Sequence, residues 1–104
     1  MTDKIREFVI GPGEAARTIT DISRLLGCTP QPIYTWIRYG LEAADGRGRI
    51  RLQAKRLGRA YILSSAQVSR FLLAAGRAIP EAMALDADRG ASIVHEQEVD
   101  EVAL

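Results

Sequence analysis

From Thr20 to Gly40 the chain reads TDISRLLGCTPQPIYTWIRYG, and the glycine at Gly27 leaves room only for two short helices with a tight turn between them. Thr20 is expected to cap the first helix, whose apolar face is Ile22, Leu25 and Leu26. Gly27 can take the left-handed conformation that ends it. Thr29 is expected to cap the second helix. Pro30 stands in its first turn, where a missing N–H costs nothing, and Gly40 closes it after Tyr39. Pro32 falls within the same first turn and stiffens that end. Ile33, Trp36 and Ile37, spaced i, i+3, i+4, form a core face and leave Gln31, Tyr34, Thr35 and Arg38 mostly on the opposite side.

A helix pair with an apolar stripe is more often plain packing than recognition. The next segment changes that balance, because residues 47–63 hold Arg47, Arg49, Arg51, Lys55, Arg56 and Arg59 and no acid. Ile50 and Leu52, then Leu57, Tyr61 and Leu63, are spaced like two short strands around a loop near residues 55–58, a basic hairpin or wing. Ser64 and Gln67 then form a capping box, with Leu63 and Val68 as the hydrophobic staple around it. The third helix is expected from Ala66 to about Ala75, burying Val68, Phe71 and Leu72 and stopping at Gly76. The expected fold is therefore mainly α with a small β-hairpin wing, in the order helix, helix, wing, helix.

Over residues 19–73 the chain resembles the small winged helix-turn-helix proteins of the excisionase and MerR-like group. The features that carry the likeness are Thr20, Gly27, Ile33 with Tyr34, Gly40, Gly58, Ser64 or Ser65, and Phe71 with Leu72. The spacer over residues 41–48 is longer and richer in glycine than in the shortest excisionases. The resemblance implies a sequence-specific double-stranded DNA-binding protein. Gln31, Tyr34, Thr35 and Arg38, on the helix over residues 30–39, would enter the major groove. Lys55, Arg56 and Arg59 would reach the adjacent minor groove or its phosphates. MerR-type sensors add a long dimerising helix, for which the residues after the third helix, interrupted by Pro80 and Gly90, leave little room. An excisionase-like architectural factor or compact transcriptional regulator of a mobile element fits better, with self-association on DNA. The alternative is a protein-interaction adaptor that keeps the winged fold and uses Trp36, Tyr39 and an acidic tail to hold a partner.

A chain of 104 residues with 47% hydrophobic residues is long enough for one modest core. Its net charge of +1 conceals a split, since residues 1–79 sum to +7 and residues 80–104 to −6. The organisation expected is an N-terminal arm over residues 1–17, a DNA-binding domain over residues 18–79, and a short helix with an acidic tail over residues 80–104. In the arm, Phe8, Val9 and Ile10 before Gly11-Pro12-Gly13 read as a short strand and turn, available to the wing sheet or to another copy. Beyond it, residues 80–87 suggest a helix with Met83 packed under the domain and Gly90 at its end. The tail is a possible site for a protein partner.

Cys28 is the only cysteine, which excludes an intrachain disulfide, and its place in the turn suggests a small buried filler. The single histidine, His95, lies among tail acids and not in a metal-ligand pattern. No Ser, His and Asp set and no glycine-rich phosphate loop is evident, so no enzyme, cofactor or metal site is expected. No apolar run spans a bilayer and no signal peptide is visible, so the expected location is cytoplasmic, at the nucleoid through DNA.

Overall fold

Alternation of buried and open positions defines the central strand, for Ile50 and Leu52 are fully buried while Arg49 is exposed and Arg51 partly so. In the computed structural model, which describes residues 5–88, this segment is β4 (Arg49–Leu52). Ahead of it in the chain come β1 (Arg6–Phe8), β2 (Arg17–Thr18), α1 (Ile19–Leu26), α2 (Gln31–Arg38) and β3 (Leu41–Glu42). After it come β5 (Lys55–Leu57), β6 (Ala60–Leu63), α3 (Ser65–Ala74) and a fourth helix, α4, over residues 81–88. Strand β4 pairs in parallel with β1 and antiparallel with β3, and β6 pairs antiparallel with β2 and β5. The two sheets have the orders β1-β4-β3 and β2-β6-β5.

Over the described residues this is a mixed α/β fold, about 40% helical and 21% strand, and the expectation of a mainly α fold with one hairpin wing is corrected. The strands Ile50–Leu52 and Tyr61–Leu63, read from the sequence as two sides of one hairpin, belong to different sheets. Each has its own hairpin partner. The glycine-rich spacer folds back so that Ala43 N–H donates to Gly48 O at 2.8 Å, making β3 the partner of β4. Residues 55–57, expected as loop, are strand β5, with a two-residue turn at Gly58 and Arg59 before β6. The chain crosses between the sheets at Gln53, whose N–H donates to Phe8 O at 3.0 Å. The fully buried Gln67 side chain pins this crossing, donating from Nε2 to Phe8 O at 2.6 Å and to Gln53 O at 2.9 Å. An unpartnered amide there would cost about 1–3 kcal/mol.

The third helix begins as its capping box requires. Ser64 Oγ accepts from Gln67 N at 2.9 Å, and Ser64 N donates to Gln67 Oε1 at 3.1 Å. Its far end closes at Gly76, where φ is 77° and Arg77 N–H donates to Leu72 O. Two other caps differ from expectation. The first helix is capped by Thr18 and not Thr20, through a box in which Thr18 and Asp21 exchange two bonds of 3.1 Å. That earlier start brings Ile19 into the helix and the core. The second helix starts after Pro30 with no side-chain cap, and Thr29 does not cap it, because Pro30 O accepts from Ile33 and Tyr34 N–H and its ring already fixes a helical φ of −67°. Cys28, expected as a buried filler, is exposed.

Phe71 on α3 lies at the centre of the core. Its ring meets Phe8 edge-on at 5.9 Å and Trp36 at 5.8 Å, so one side chain joins β1, α2 and α3. Ile22, Ile33, Ile50, Leu52, Leu63, Val68 and Met83 are all fully buried around it. Met83 anchors α4 to the domain, and Arg17 Nε donates to Asp86 Oδ2 of that helix at 3.1 Å. Asp86 also accepts from Ser65 Oγ at the start of α3. The strand expected over Phe8, Val9 and Ile10 lies earlier, at Arg6–Phe8, and it pairs with β4, which holds the Ile50 and Leu52 expected on the wing. Gly90, His95 and the acidic residues after Asp88 lie outside the described residues.

Candidate nucleic-acid interface

Four side chains on α2 share its outer face. Gln31, Tyr34, Thr35 and Arg38 are exposed, while Ile33 and Trp36 between them are buried. Together with Tyr39 the four line one shallow depression. Burial of Ile33 and Trp36 holds the helix, and the 3.6-residue period then turns positions 31, 34, 35 and 38 to solvent. Thr35 Oγ1 donates to Gln31 O at 3.3 Å. Trp36, suggested as a partner-holding residue in the adaptor alternative, belongs to the core.

The hairpin β5–β6 stands beside this face. Lys55, Arg56 and Leu57 are all exposed, as is Arg59 in the turn. In this turn Gly58 has φ 63° and Arg59 has no positive φ, the hairpin geometry with glycine at its first central position. The register places Arg56 directly opposite Tyr61, so both project from one side of the ribbon. The Arg56 guanidinium lies over the Tyr61 ring, 5.2 Å from its centroid. Tyr61 in turn meets Tyr34 of α2 edge-on, with centroids 6.0 Å apart. Lys55 projects from the other side of the ribbon.

Charge pairing divides the arginines into two groups. Arg6 is paired with Asp45 at 3.2 Å, Arg17 with Asp86, Arg51 with Glu7 and Arg70 with Glu14. Arg49 is also occupied, donating from Nε and Nη2 to Tyr39 O at 3.0 and 2.7 Å, where it satisfies and neutralises the carbonyl end of α2. Among the described residues, Arg24, Arg38, Arg47, Lys55, Arg56, Arg59 and Arg77 form no ion pair, and of these Arg38, Lys55, Arg56 and Arg59 lie on α2 and the hairpin beside it. The six basic residues expected on one wing are therefore divided. Arg47, Arg49 and Arg51 belong to the β3–β4 hairpin, and only Lys55, Arg56 and Arg59 to the hairpin beside α2.

The structure brings Tyr34 and Arg56 together through a residue that sequence reasoning treated only as an apolar strand position. Tyr61 is that residue. Placing the turn at Gly58 and Arg59 would have shown it opposite Arg56, whereas a loop over residues 55–58 hides the pairing. Among the described residues no three His, Cys, Asp or Glu side chains gather to hold a metal ion. Among the same residues no helix is long and apolar enough to cross a membrane. No protein-family model, curated protein or solved structure matches the chain.

Proposed function

We propose that this chain is a sequence-specific double-stranded DNA-binding protein that presents α2 to the major groove and the β5–β6 hairpin to the flanking minor groove or phosphates. The observation that carries this reading is the group of four cations on α2 and the adjacent hairpin that have no carboxylate partner, Arg38, Lys55, Arg56 and Arg59, beside an exposed polar helix face. Elsewhere Arg6, Arg17, Arg51 and Arg70 are each paired with an acid, while Arg24, Arg47 and Arg77 are unpaired but scattered over other elements. A major groove about 12 Å wide admits one helix, and eight residues span roughly 12 Å of its length. Gln31 and Arg38 are residue types that read adenine and guanine edges, while hairpin cations meet phosphate.

The role is binding, with no catalytic step. The likeness to the excisionase and MerR-like group supports an architectural or regulatory task on a mobile element, carried out at the nucleoid. Lone modules bury roughly 600–1,000 Å² on DNA, so high specificity calls for two or more copies side by side. The test is fluorescence anisotropy on labelled duplexes at several salt concentrations. Log affinity should fall with log salt at a slope of about 0.9 for each phosphate neutralised. Absence of binding to any duplex at low salt would overturn the reading.

A further inference from the structure

The hairpin that carries Lys55, Arg56 and Arg59 has little of its own to hold it in place. Every residue of β5 is exposed, and Leu57 at its end is 72% exposed, so no buried side chain of that strand fixes the ribbon against the domain. The other strand supplies the anchor. Leu63 at the base of β6 is fully buried and pairs with Arg17 of β2, which fixes one end of the ribbon. Toward the tip, the recorded aromatic contact to α2 is that of Tyr61 with Tyr34.

We infer that Tyr61 is a positioning residue, whose ring docks the β5–β6 hairpin on α2 and holds the Arg56 guanidinium beside the helix face, so that Arg56 and Arg38 reach one duplex together. The inference rests on the DNA-binding reading and extends it to how the two contact elements act as a unit. Three observations converge on the ring. It is the direct cross-strand partner of Arg56, it lies 5.2 Å from that guanidinium, and its edge contact with Tyr34 is 6.0 Å between centroids. Edge-on aromatic pairs are favourable because the positive rim of one ring meets the negative face of the other. The same negative face attracts the guanidinium. Holding Arg56 in place before DNA arrives removes part of the entropy that a free arginine loses on binding. Lys55, on the opposite side of the ribbon, receives no such support.

A double-mutant cycle on duplex affinity separates positioning from bulk folding. Tyr61→Leu keeps an apolar side chain without a π face, and Tyr61→Phe keeps the ring. Tyr61→Phe should bind within about twofold of the unmodified protein, and Tyr61→Leu should lose about tenfold, a difference of about 1.4 kcal/mol. Arg56→Ala should also lose about tenfold in the unmodified background but less than threefold in Tyr61→Leu, since the arginine is no longer held. In the free protein, Arg56 side-chain protons should show upfield ring-current shifts by NMR, retained in Tyr61→Phe and lost in Tyr61→Leu. Additive losses, or unchanged Arg56 shifts in Tyr61→Leu, would overturn the role of Tyr61 while leaving DNA binding intact. Failure of the unmodified protein to bind any duplex would overturn the functional reading itself, and this inference with it.

Discussion

Gly40 and Gly58 both adopt left-handed conformations, with φ 81° and 63°, yet they answer to different constraints. A Cβ on Gly40 would stand 2.0 Å from Ile50 O, because the chain leaving α2 passes directly against β4, whereas nothing lies within 4 Å of the same position on Gly58. Gly58→Ala should therefore cost only backbone strain, about 1–2 kcal/mol. Gly40→Ala adds a backbone clash and should cost clearly more, as the denaturation midpoint in urea will report. Glu14 offers a second test. Its carboxylate accepts from Arg70 Nη1 at 2.5 Å, Gly11 N–H at 2.6 Å and Ser64 Oγ at 2.8 Å. The Arg70 bond is the main reason its pKa is held down from 4.5 to about 2, against the opposing effect of burial. A depressed carboxylate pKa favours the folded state fully above 4.5, and this contribution is lost as pH falls from 4.5 through about 2. Glu14→Gln should accordingly lower stability at pH 7 and make it less dependent on pH across that window, measured by thermal unfolding.

At the scale of elements, α2 and the β5–β6 hairpin present different chemistry to a duplex. Arg38 sits on the helix face with Gln31, Tyr34 and Thr35, whereas Arg56 projects from the ribbon. If the helix reads bases, Arg38→Ala should cost about 1–3 kcal/mol on the preferred site and relax preference at one base pair. Arg56→Ala should weaken all sequences alike and flatten the salt slope by about one unit. Indistinguishable behaviour of the two variants in a selection from random duplexes would mean that α2 is not the reading element. The sequence revealed α2, because apolar spacing and glycine punctuation are local properties, but it read residues 55–58 as loop and so missed the β5–β6 pairing. It did not reveal the boundary between the two hairpins. That boundary depends on Gln67 Nε2 reaching Phe8 O and Gln53 O, contacts 59 and 14 residues away along the chain.

The whole molecule joins segments that look separable in the sequence. Residues before α1 contribute β1, whose Phe8 packs on Phe71, and Glu14, which bonds to Ser64 and Arg70 of the α3 region. Residues after Pro80 contribute Met83, fully buried, and Asp86, bonded to Arg17 and Ser65. Truncation after Ile79 should therefore destabilise the domain, and Met83→Ala alone should cost about 2–5 kcal/mol by leaving a cavity. Truncation after Asp88 keeps both contacts and removes four acids, Glu96, Glu98, Asp100 and Glu101, with one base, Arg89. It should leave the thermal midpoint almost unchanged and raise affinity for random-sequence DNA at low salt, since an acidic segment competes with phosphate for exposed cations.

By itself the sequence determined what short-range physics controls. The capping box at Ser64 and Gln67, the left-handed stops at Gly27 and Gly76, the buried stripe of Ile33 and Trp36, and the exposure of Gln31, Tyr34, Thr35 and Arg38 all follow from neighbours within one or two helical turns. Only the tertiary structure decided which strands pair, and so made the fold mixed α/β instead of mainly α. It also decided which arginines are occupied by acids or carbonyls and which remain open. A two- or three-residue strand has too few side chains to encode its partner, so pairing is settled by the surfaces brought together when Phe71 gathers β1 and α2 around it.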